Sequence, residues 1–227
     1  IPLSESVHHA FEVTMRLKLI VAMIAGLLLA PAAAAQLPAQ VRAPEPENVL
    51  LLDLSTGGRV AIQLRPDVAP RHVERIKTLA RQNFYNGLVF HRVIEGFMAQ
   101  TGDPKGTGEG GSTLPDLPAE FSALPHVRGV VSMARTEAPN SANSQFFIML
   151  APRMALDGKY SVFGRVISGM AFVDAIERGE PPANPSRILR ASIAADNIPP
   201  PPPSAAIAPT APAVPAAAGG AIGSGAS

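Results

Sequence analysis

The chain has 227 residues, a formal net charge of +1 and no cysteine. Without cysteine it forms no disulfides or thiolate zinc sites and has no thiol nucleophile. The nearly balanced charge and the absence of a dense Lys/Arg block argue against a nucleic-acid partner or an anionic membrane surface.

The first elements in chain order have the pattern of an export signal. Residues 15–36, MRLKLIVAMIAGLLLAPAAAAQ, contain two basic residues, then an apolar run from Leu19 to Ala30, then small residues. This order is typical of a secretory signal peptide over 15–35, with cleavage after Ala35. The apolar run is shorter than the ~20 residues that span a bilayer, so a permanent anchor is the less favoured alternative. We therefore expect an exported, periplasmic protein with no stable membrane insertion after signal removal.

The remaining flanking segments differ in composition from the middle of the chain. Residues 1–14 contain no Met and precede Met15, so we interpret them as an over-extended gene start. Residues 36–47 are predicted to be a linker. Residues 197–227 are mostly Pro, Ala, Gly and Ser, which bury too little apolar surface to fold, so a disordered or polyproline II tail is expected. The domain therefore occupies 48–196, long enough for a sizeable core.

Within the domain, short apolar runs alternate with turn residues. The pattern predicts a hairpin with strands near 48–54 and 59–64, followed by a helix that begins at Pro70. A second short helix is predicted over 169–179. Further strands are predicted over 87–94, 97–102, 128–135, 144–150, 160–167 and 186–196. Many short strands with two distant helices do not form βαβ units, so the pattern predicts a mainly β fold, a closed or nearly closed barrel with helices packed on it.

Two patterns that resemble known sites carry little weight. Residues 106–111 match G-x-G-x-x-G, but Pro115 and Pro118 prevent the helix that a dinucleotide loop requires, so a structural loop is the better interpretation. The isolated histidines give no support for a metal site or a Ser-His-Asp triad, and His91 is interpreted as a hydrogen-bonded structural residue. We predict no metal and no cofactor. The histidines of the domain are His72, His91 and His126.

The segment VFHRVIEGFMAQTGDPKGTGEGG, residues 89–111, places an arginine inside an apolar run. In regular strand alternation Phe90, Arg92 and Ile94 share one face. Taken alone, Arg92 is most simply a solvated strand residue. The alternative is an arginine placed in an apolar pocket for a chemical purpose.

Three segments together favour the second alternative. FHRVIEGFMAQTGDPKGTGEGG, NSQFFIML and LDGKYSVFGRV resemble the signature segments of the cyclophilin-type peptidyl-prolyl isomerases, in the family's order, within residues 48–195. The resemblance implies a closed eight-stranded antiparallel β-barrel capped by two α-helices. It also implies an enzyme that accelerates rotation about X-Pro bonds in unfolded or flexible proline-containing polypeptides, here assisting folding in the cell envelope. A catalytically silent proline-peptide-binding scaffold or chaperone module is the alternative.

The resemblance also implies roles for individual residues. The family's catalytic arginine corresponds to Arg92. Its proline pocket corresponds to Phe97, Met98, Phe147 and Leu156, and the glutamines at the pocket edge to Gln100 and Gln145. The position that holds the substrate backbone corresponds to Ala134, and the position at the pocket rim to Tyr160.

Three positions depart from the pattern of many family members. Arg135 replaces a frequent Asn, and Tyr160 replaces the rim His while keeping a ring and a hydrogen-bond donor. Ala155 stands where a Trp is often found. Because the indole flanks cyclosporin in Trp-bearing members, we expect weak cyclosporin binding.

Overall fold

The structure is a computed structural model that describes residues 43–202. The predicted extension over 1–14, the signal peptide over 15–35, and most of the linker and the tail lie outside the described residues. Within 43–202, every helix is too short or too polar to cross a bilayer.

In the part of the chain that the structure describes, eight antiparallel strands form a single sheet. In space they follow the order β3-β4-β6-β5-β7-β2-β1-β8. Their bounds are Val49–Leu54 (β1), Gly58–Leu64 (β2), Arg92–Ile94 (β3), Met98–Thr101 (β4), Val130–Met133 (β5), Phe146–Met149 (β6), Val162–Ser168 (β7) and Ile188–Ile193 (β8). The mainly β fold with eight antiparallel strands is thus confirmed.

Two α-helices occur in the described part of the chain, Pro70–Arg81 (α1) and Met170–Asp174 (α2). Pro70 occupies the first turn of α1, where its missing N–H leaves no hydrogen bond unmade. The helix α2 is shorter than the predicted 169–179. The helix ends at Asp174, and the following residues extend so that Gly179 pairs with β3. The backbones of Gly179 and Val93 exchange hydrogen bonds of 2.8 and 2.9 Å.

The predicted closed barrel is wrong, because the sheet is an open, curled half-barrel. Its edge strands β3 and β8 do not pair with each other. The outer edge of β3 is already occupied by Gly179, and β3 is only three residues long. Among residues 43–202, the contact between the two edges consists of an isolated bridge, Val89 with Arg187, and a few neighbouring backbone hydrogen bonds.

The main hydrophobic core lies between one face of the sheet and the two helices. It includes Val73, Ile76 and Leu79 of α1 and alternate residues of the strands. Phe90 also belongs to this core and is fully buried, whereas Ile94 packs against a second, smaller cluster. The prediction that Phe90 shares a face with Arg92 is therefore wrong, because regular strand geometry begins only at Arg92. Ile94, two residues further along β3, does lie on the same face as Arg92, opposite Met98.

The two ends of the domain lie together. Strand β1 runs between β2 and β8, so the first and last strands are neighbours. Arg81 at the end of α1 adds ion pairs to Glu47 before β1, at 2.9 Å, and to Asp196 after β8, at 3.0 Å.

Candidate active site

A groove of about 650 Å³ opens on the face of the sheet opposite the main core. Eight of the nine site residues predicted from the sequence line it, and Gln145 lines an adjoining depression of about 430 Å³. The structure thus brings all nine predicted residues together. The eight in the groove are Arg92, Phe97, Met98, Gln100, Ala134, Phe147, Leu156 and Tyr160.

Strand pairing places the central side chains in one row. In the registers of four adjacent strands, Arg92 of β3 faces Gln100 of β4, Gln100 faces Phe147 of β6, and Phe147 faces Ser132 of β5. Directly opposed residues of an antiparallel sheet point to the same side. The row therefore runs from an exposed guanidinium, through an amide, to a buried phenyl ring.

The apolar part of the groove is a small aromatic pocket. Phe147 is 5% exposed and Met98 2% exposed, and both belong to the second cluster, against which Phe97, Leu156 and Tyr160 pack. The rings of Phe147 and Tyr160 meet edge to face, with centroids 5.7 Å apart. A pocket of this composition suits a small apolar ring such as that of proline.

Arg92 stands at the other end of the groove with its side chain 44% exposed. Its Nε–H donates to the Glu180 carboxylate at 2.7 Å, and its terminal amino groups have no hydrogen bond to any residue between 43 and 202. These groups are therefore free to donate to a molecule in the groove. Sequence inspection missed Glu180 and Pro181, which also line the groove, because they lie 88 or more positions beyond Arg92 with no local motif.

An amide network fixes the edge between the two depressions. The Gln100 side chain donates to the Gln145 side chain at 2.8 Å, and Gln145 donates to the carbonyls of Gly108 and Gly110 at 2.9 and 2.7 Å. The Ala134 N–H donates to the Gln145 carbonyl at 2.9 Å, so this backbone donor is already used within the protein.

The glycine-rich segment is a loop wrapped around a buried carboxylate. Asp103 accepts hydrogen bonds from the backbone N–H groups of Lys105, Thr107 and Gly108 at 2.6–2.9 Å. Burial alone would raise the pKa of Asp103, but these backbone donors outweigh it and lower the pKa below its ordinary value. The loop carries the two carbonyls that hold Gln145, so Asp103 fixes the groove edge indirectly.

Arg135 forms part of the groove wall and was not among the predicted site residues. Its guanidinium lies 4.6 Å from the ring centre of Tyr160 and 5.8 Å from that of Phe121. It also donates to the carbonyls of Thr136 and Lys159 at 2.8–3.1 Å. The position that often carries Asn is here a brace between two aromatic rings.

His91 lines the groove next to Arg92 and is only 5% exposed. Neither ring nitrogen meets hydrogen-bond geometry with a residue between 43 and 202, although the Gln145 side chain lies near enough to raise the pKa of His91. Its interpretation as a hydrogen-bonded structural histidine stays a prediction. Burial lowers the pKa of His91, partly opposed by the nearby Asp103, so the neutral ring is favoured.

The structure does contain a Ser-His-Asp arrangement, contrary to the expectation from sequence. His126 Nδ1 lies 2.9 Å from Asp157, and His126 Nε2 lies 3.0 Å from Ser132 Oγ. Ser132 and His126 are completely buried, so the hydroxyl cannot meet a substrate. The His126 ring stacks behind Phe147 at 6.4 Å between centroids, which makes the trio a support for the aromatic pocket. Hydrogen bonds from the His126 backbone and ring lower the pKa of Asp157.

A metal centre finds no support in the described residues. Between 43 and 202, no group of three or more His, Asp or Glu side chains is placed to bind an ion. The groove side chains in this part of the chain include two guanidinium groups, Arg92 and Arg135, together with amides and aromatic rings.

The fold and the groove define a half-barrel with a small apolar pocket in the same groove as an arginine. The family model for the cyclophilin type peptidyl-prolyl cis-trans isomerases matches residues 51–193. A probable peptidyl-prolyl cis-trans isomerase of Brucella suis is 52% identical over 170 residues, covering 68% of this chain and 86% of that relative.

Solved structures agree with this class. The cyclophilin AquaCyp293 from Hirschia baltica matches with a TM-score of 0.64 and 31% identity, covering 70% of this chain and 78% of that one. A Cryptosporidium parvum cyclophilin crystallised in the presence of the dipeptide Ala-Pro matches with a TM-score of 0.60 and 28% identity, covering 64% and 98%. The chain belongs to the cyclophilin-type peptidyl-prolyl cis-trans isomerase family, and its enzymatic class is that of a prolyl isomerase.

Proposed function

We propose that this isomerase acts on proline-containing, unfolded or flexible polypeptides, with Arg92 as its catalytic residue, and that it works in the cell envelope. The observation that carries the proposal is the row from Arg92 through Gln100 to Phe147. It sets a guanidinium, whose terminal amino groups have no partner among residues 43–202, in line with a ring-sized apolar pocket. A substrate proline in the pocket lies within the same groove as the arginine.

The reaction has an electronic barrier that one donor can lower. Rotation about a peptide bond must break amide resonance, with a barrier of ~18–20 kcal/mol. In the twisted transition state the proline nitrogen becomes pyramidal and its lone pair localises. A guanidinium that donates a hydrogen bond to this nitrogen stabilises the twisted form over the planar one. No proton is transferred and no covalent bond to the enzyme forms.

The groove residues divide this work between binding and catalysis. Phe97, Met98, Phe147 and Leu156 hold the ring and exclude water, and Tyr160 closes the rim. Gln100, whose amide nitrogen donates to Gln145, offers the rest of its amide group to the substrate backbone near the rotating X-Pro bond. Arginine suits the catalytic position because it stays charged at any physiological pH and presents several donors in a planar fork.

The class of substrate is supported by the pocket chemistry and by one structural neighbour. The Cryptosporidium parvum relative was crystallised in the presence of Ala-Pro. The groove here is open and formal net charge is near zero, which favours extended, uncharged peptide segments over nucleic acid. No cofactor enters the proposed mechanism.

A turnover assay tests the catalytic proposal. The purified protein should accelerate cis-trans exchange of a short proline peptide, measured by magnetisation transfer at equilibrium. The alternative is a silent scaffold or chaperone module, which would bind the peptide without changing its exchange rate. Binding without exchange in a well-folded preparation would contradict the proposal.

The envelope location rests on the predicted signal over 15–35. Fractionation of the native cells should recover a chain that begins near Gln36 in the periplasm. A cytosolic protein that retains the run from Leu19 to Ala30 would overturn this part of the proposal and leave the catalytic part intact.

A further inference from the structure

The loop after α2 lies against the free edge of β3 in a fixed register. Val93 and Gly179 exchange two backbone hydrogen bonds of 2.8 and 2.9 Å. In an antiparallel pairing this register sets Glu180 directly opposite Arg92. The ion pair between Arg92 and Glu180 is thus a cross-strand pair, set by backbone pairing at the rim of the groove.

The backbone of this loop leaves little freedom for Glu180. Gly179 has φ +145°, a left-handed conformation that favours glycine. A Cβ at this position would lie 2.6 Å from Pro182 Cα, so no other residue fits without movement. Downstream, the Ser186 hydroxyl accepts from the Glu177 N–H at 3.1 Å, and the Ser186 carbonyl accepts from the Phe90 N–H at 2.9 Å. The carboxylate therefore projects from an anchored loop.

The contact uses a particular edge of the guanidinium. Glu180 binds Nε of Arg92 at 2.7 Å, and the two terminal amino groups have no partner among residues 43–202. Because the guanidinium is planar, fixing Nε also fixes the plane in which the terminal donors point. Both side chains are about half exposed, 44% for Arg92 and 50% for Glu180, so packing alone does not hold the arginine.

We propose that Glu180 is a positioning residue for the catalytic Arg92, a role that rests on the proposed function of that arginine. Its carboxylate holds Nε and aims the terminal amino groups at the substrate nitrogen before the substrate binds. A donor that is already oriented needs no reorganisation in the transition state. The negative charge of Glu180 weakens the electrostatic stabilisation that Arg92 gives the transition state, and the gain from positioning the guanidinium outweighs this loss.

The first measurement needs no activity. In the wild-type protein the Arg92 Nε–H should give a ¹⁵N-resolved NMR signal that exchanges slowly with water. In Glu180→Gln and Glu180→Ala the same proton should exchange faster. An Nε–H signal with equal exchange rates in all three proteins would show that the pair does not hold the guanidinium.

The second measurement is isomerisation of a short, uncharged proline peptide. Glu180→Gln should lower kcat/KM by roughly two- to fivefold, the range expected when an exposed pair is lost. The loss should fall on kcat with KM nearly unchanged, since the pocket that binds the ring is intact. Sodium chloride at high concentration should lower the wild-type rate towards that of Glu180→Gln, because salt screens exposed pairs.

Glu95→Gln is the matched control. Glu95 lies in the turn after β3 and pairs at 2.5 Å with Arg178, which is on the same loop as Glu180. The Glu95 side chain is 76% exposed and does not line the groove. It should leave both the Nε–H exchange and kcat at wild-type values, with thermal melting confirming that every variant folds. Unchanged or raised kcat in Glu180→Gln would overturn the positioning role. An inactive wild-type protein with a protected Nε–H would instead contradict the proposed function.

Discussion

The two faces of strand β6 each carry a phenylalanine and an aliphatic or thioether side chain but serve different parts of the molecule. Phe146 and Ile148 point into the main core, whereas Phe147 and Met149 belong to the smaller cluster behind the groove. All four side chains are at most 5% exposed. Burial therefore does not distinguish a core residue from a pocket residue in this sheet.

What distinguishes them is the nature of their neighbours. The Phe146 ring is enclosed edge to face by Tyr85 at 5.5 Å and Phe163 at 6.0 Å. The Phe147 ring meets Tyr160 and His126, and its remaining side forms the floor of the open groove. One face of the sheet is filled by the protein itself, and the other leaves space for a substrate ring.

The adjacent pair Phe146 and Phe147 tests this contrast directly. Phe146→Ala should lower the free energy of unfolding by about 3–5 kcal/mol, because it opens a cavity in an enclosed core. Phe147→Ala should lose less stability, since the groove already admits water, but should raise KM and lower kcat/KM. Chemical denaturation and peptide-exchange kinetics of the two variants separate these effects. Equal stability losses with equal activity losses would break the comparison.

At the polar end of the groove, Arg92→Ala should change activity without changing stability. Isomerase activity should fall by about 10²- to 10³-fold, the loss typical of one transition-state donor worth ~2.7–4 kcal/mol. Arg92→Lys should recover little, because a point charge on a flexible stem cannot reproduce the planar fork. Exchange of a proline peptide and thermal melting of each variant provide the readouts. Wild-type turnover in a folded Arg92→Ala protein would mean that the arginine is an ordinary surface residue.

Cyclosporin affinity tests the rim of the groove. Ala155 is exposed in a short 3-10 turn, Met154–Leu156, and does not itself line the groove, unlike its neighbour Leu156. Relative to Trp-bearing cyclophilins, cyclosporin should bind more weakly by on the order of 2–4 kcal/mol, roughly 30- to 1000-fold. Calorimetric titration of the wild-type protein and of Ala155→Trp is the check. Tight wild-type binding, or no gain in the variant, would refute this explanation.

The loop around Asp103 shows that the groove face also contains a rigid, satisfied polar core. Asp103→Asn should destabilise the protein at neutral pH by about 1–3 kcal/mol, because an ionised acceptor of several backbone N–H groups is lost. The pKa of Asp103 is lowered by folding, so its contribution is present above the ordinary aspartate pKa and is lost as pH falls through the lower folded value. The wild-type and variant melting curves should therefore converge in acid. A gap that is independent of pH would argue against an ionised Asp103.

The strand pattern could be predicted because it depends on local alternation. Seven of the predicted strand segments correspond to strands with shifts of a few residues, and the helix from Pro70 begins where its proline indicated. The exception is 87–94, where only Arg92–Ile94 forms a strand. There β3 pairs with β4 on one side only; on its other side the chain makes isolated bridges, Val93 with Gly179 and Val89 with Arg187, and no local pattern reveals such distant backbone contacts.

The groove residues could be placed because the first two matching segments lie on the adjacent strands β3, β4 and β6, and the third leads into β7, which β5 separates from β6 in the sheet. The register from Arg92 to Gln100 to Phe147 then follows from the fold. Glu180 and the support under Phe147 could not be found in this way. His126, Ser132 and Asp157 come from separate segments, and only the packed structure brings their side chains within hydrogen-bond distance.

The pairing of the first strand with the last has a consequence for biosynthesis. Strand β1 is complete only when β8 lies beside it, and Arg81 joins the chain on either side of the domain, at Glu47 and Asp196. Pairings between residues so far apart in sequence form late in folding. While the ribosome is still adding residues before Ile188, β8 is absent and β1 lacks its second neighbour. One side of β1 therefore stays unpaired until synthesis is nearly finished. Truncation before β8 should leave β1 as an exposed edge strand that promotes aggregation.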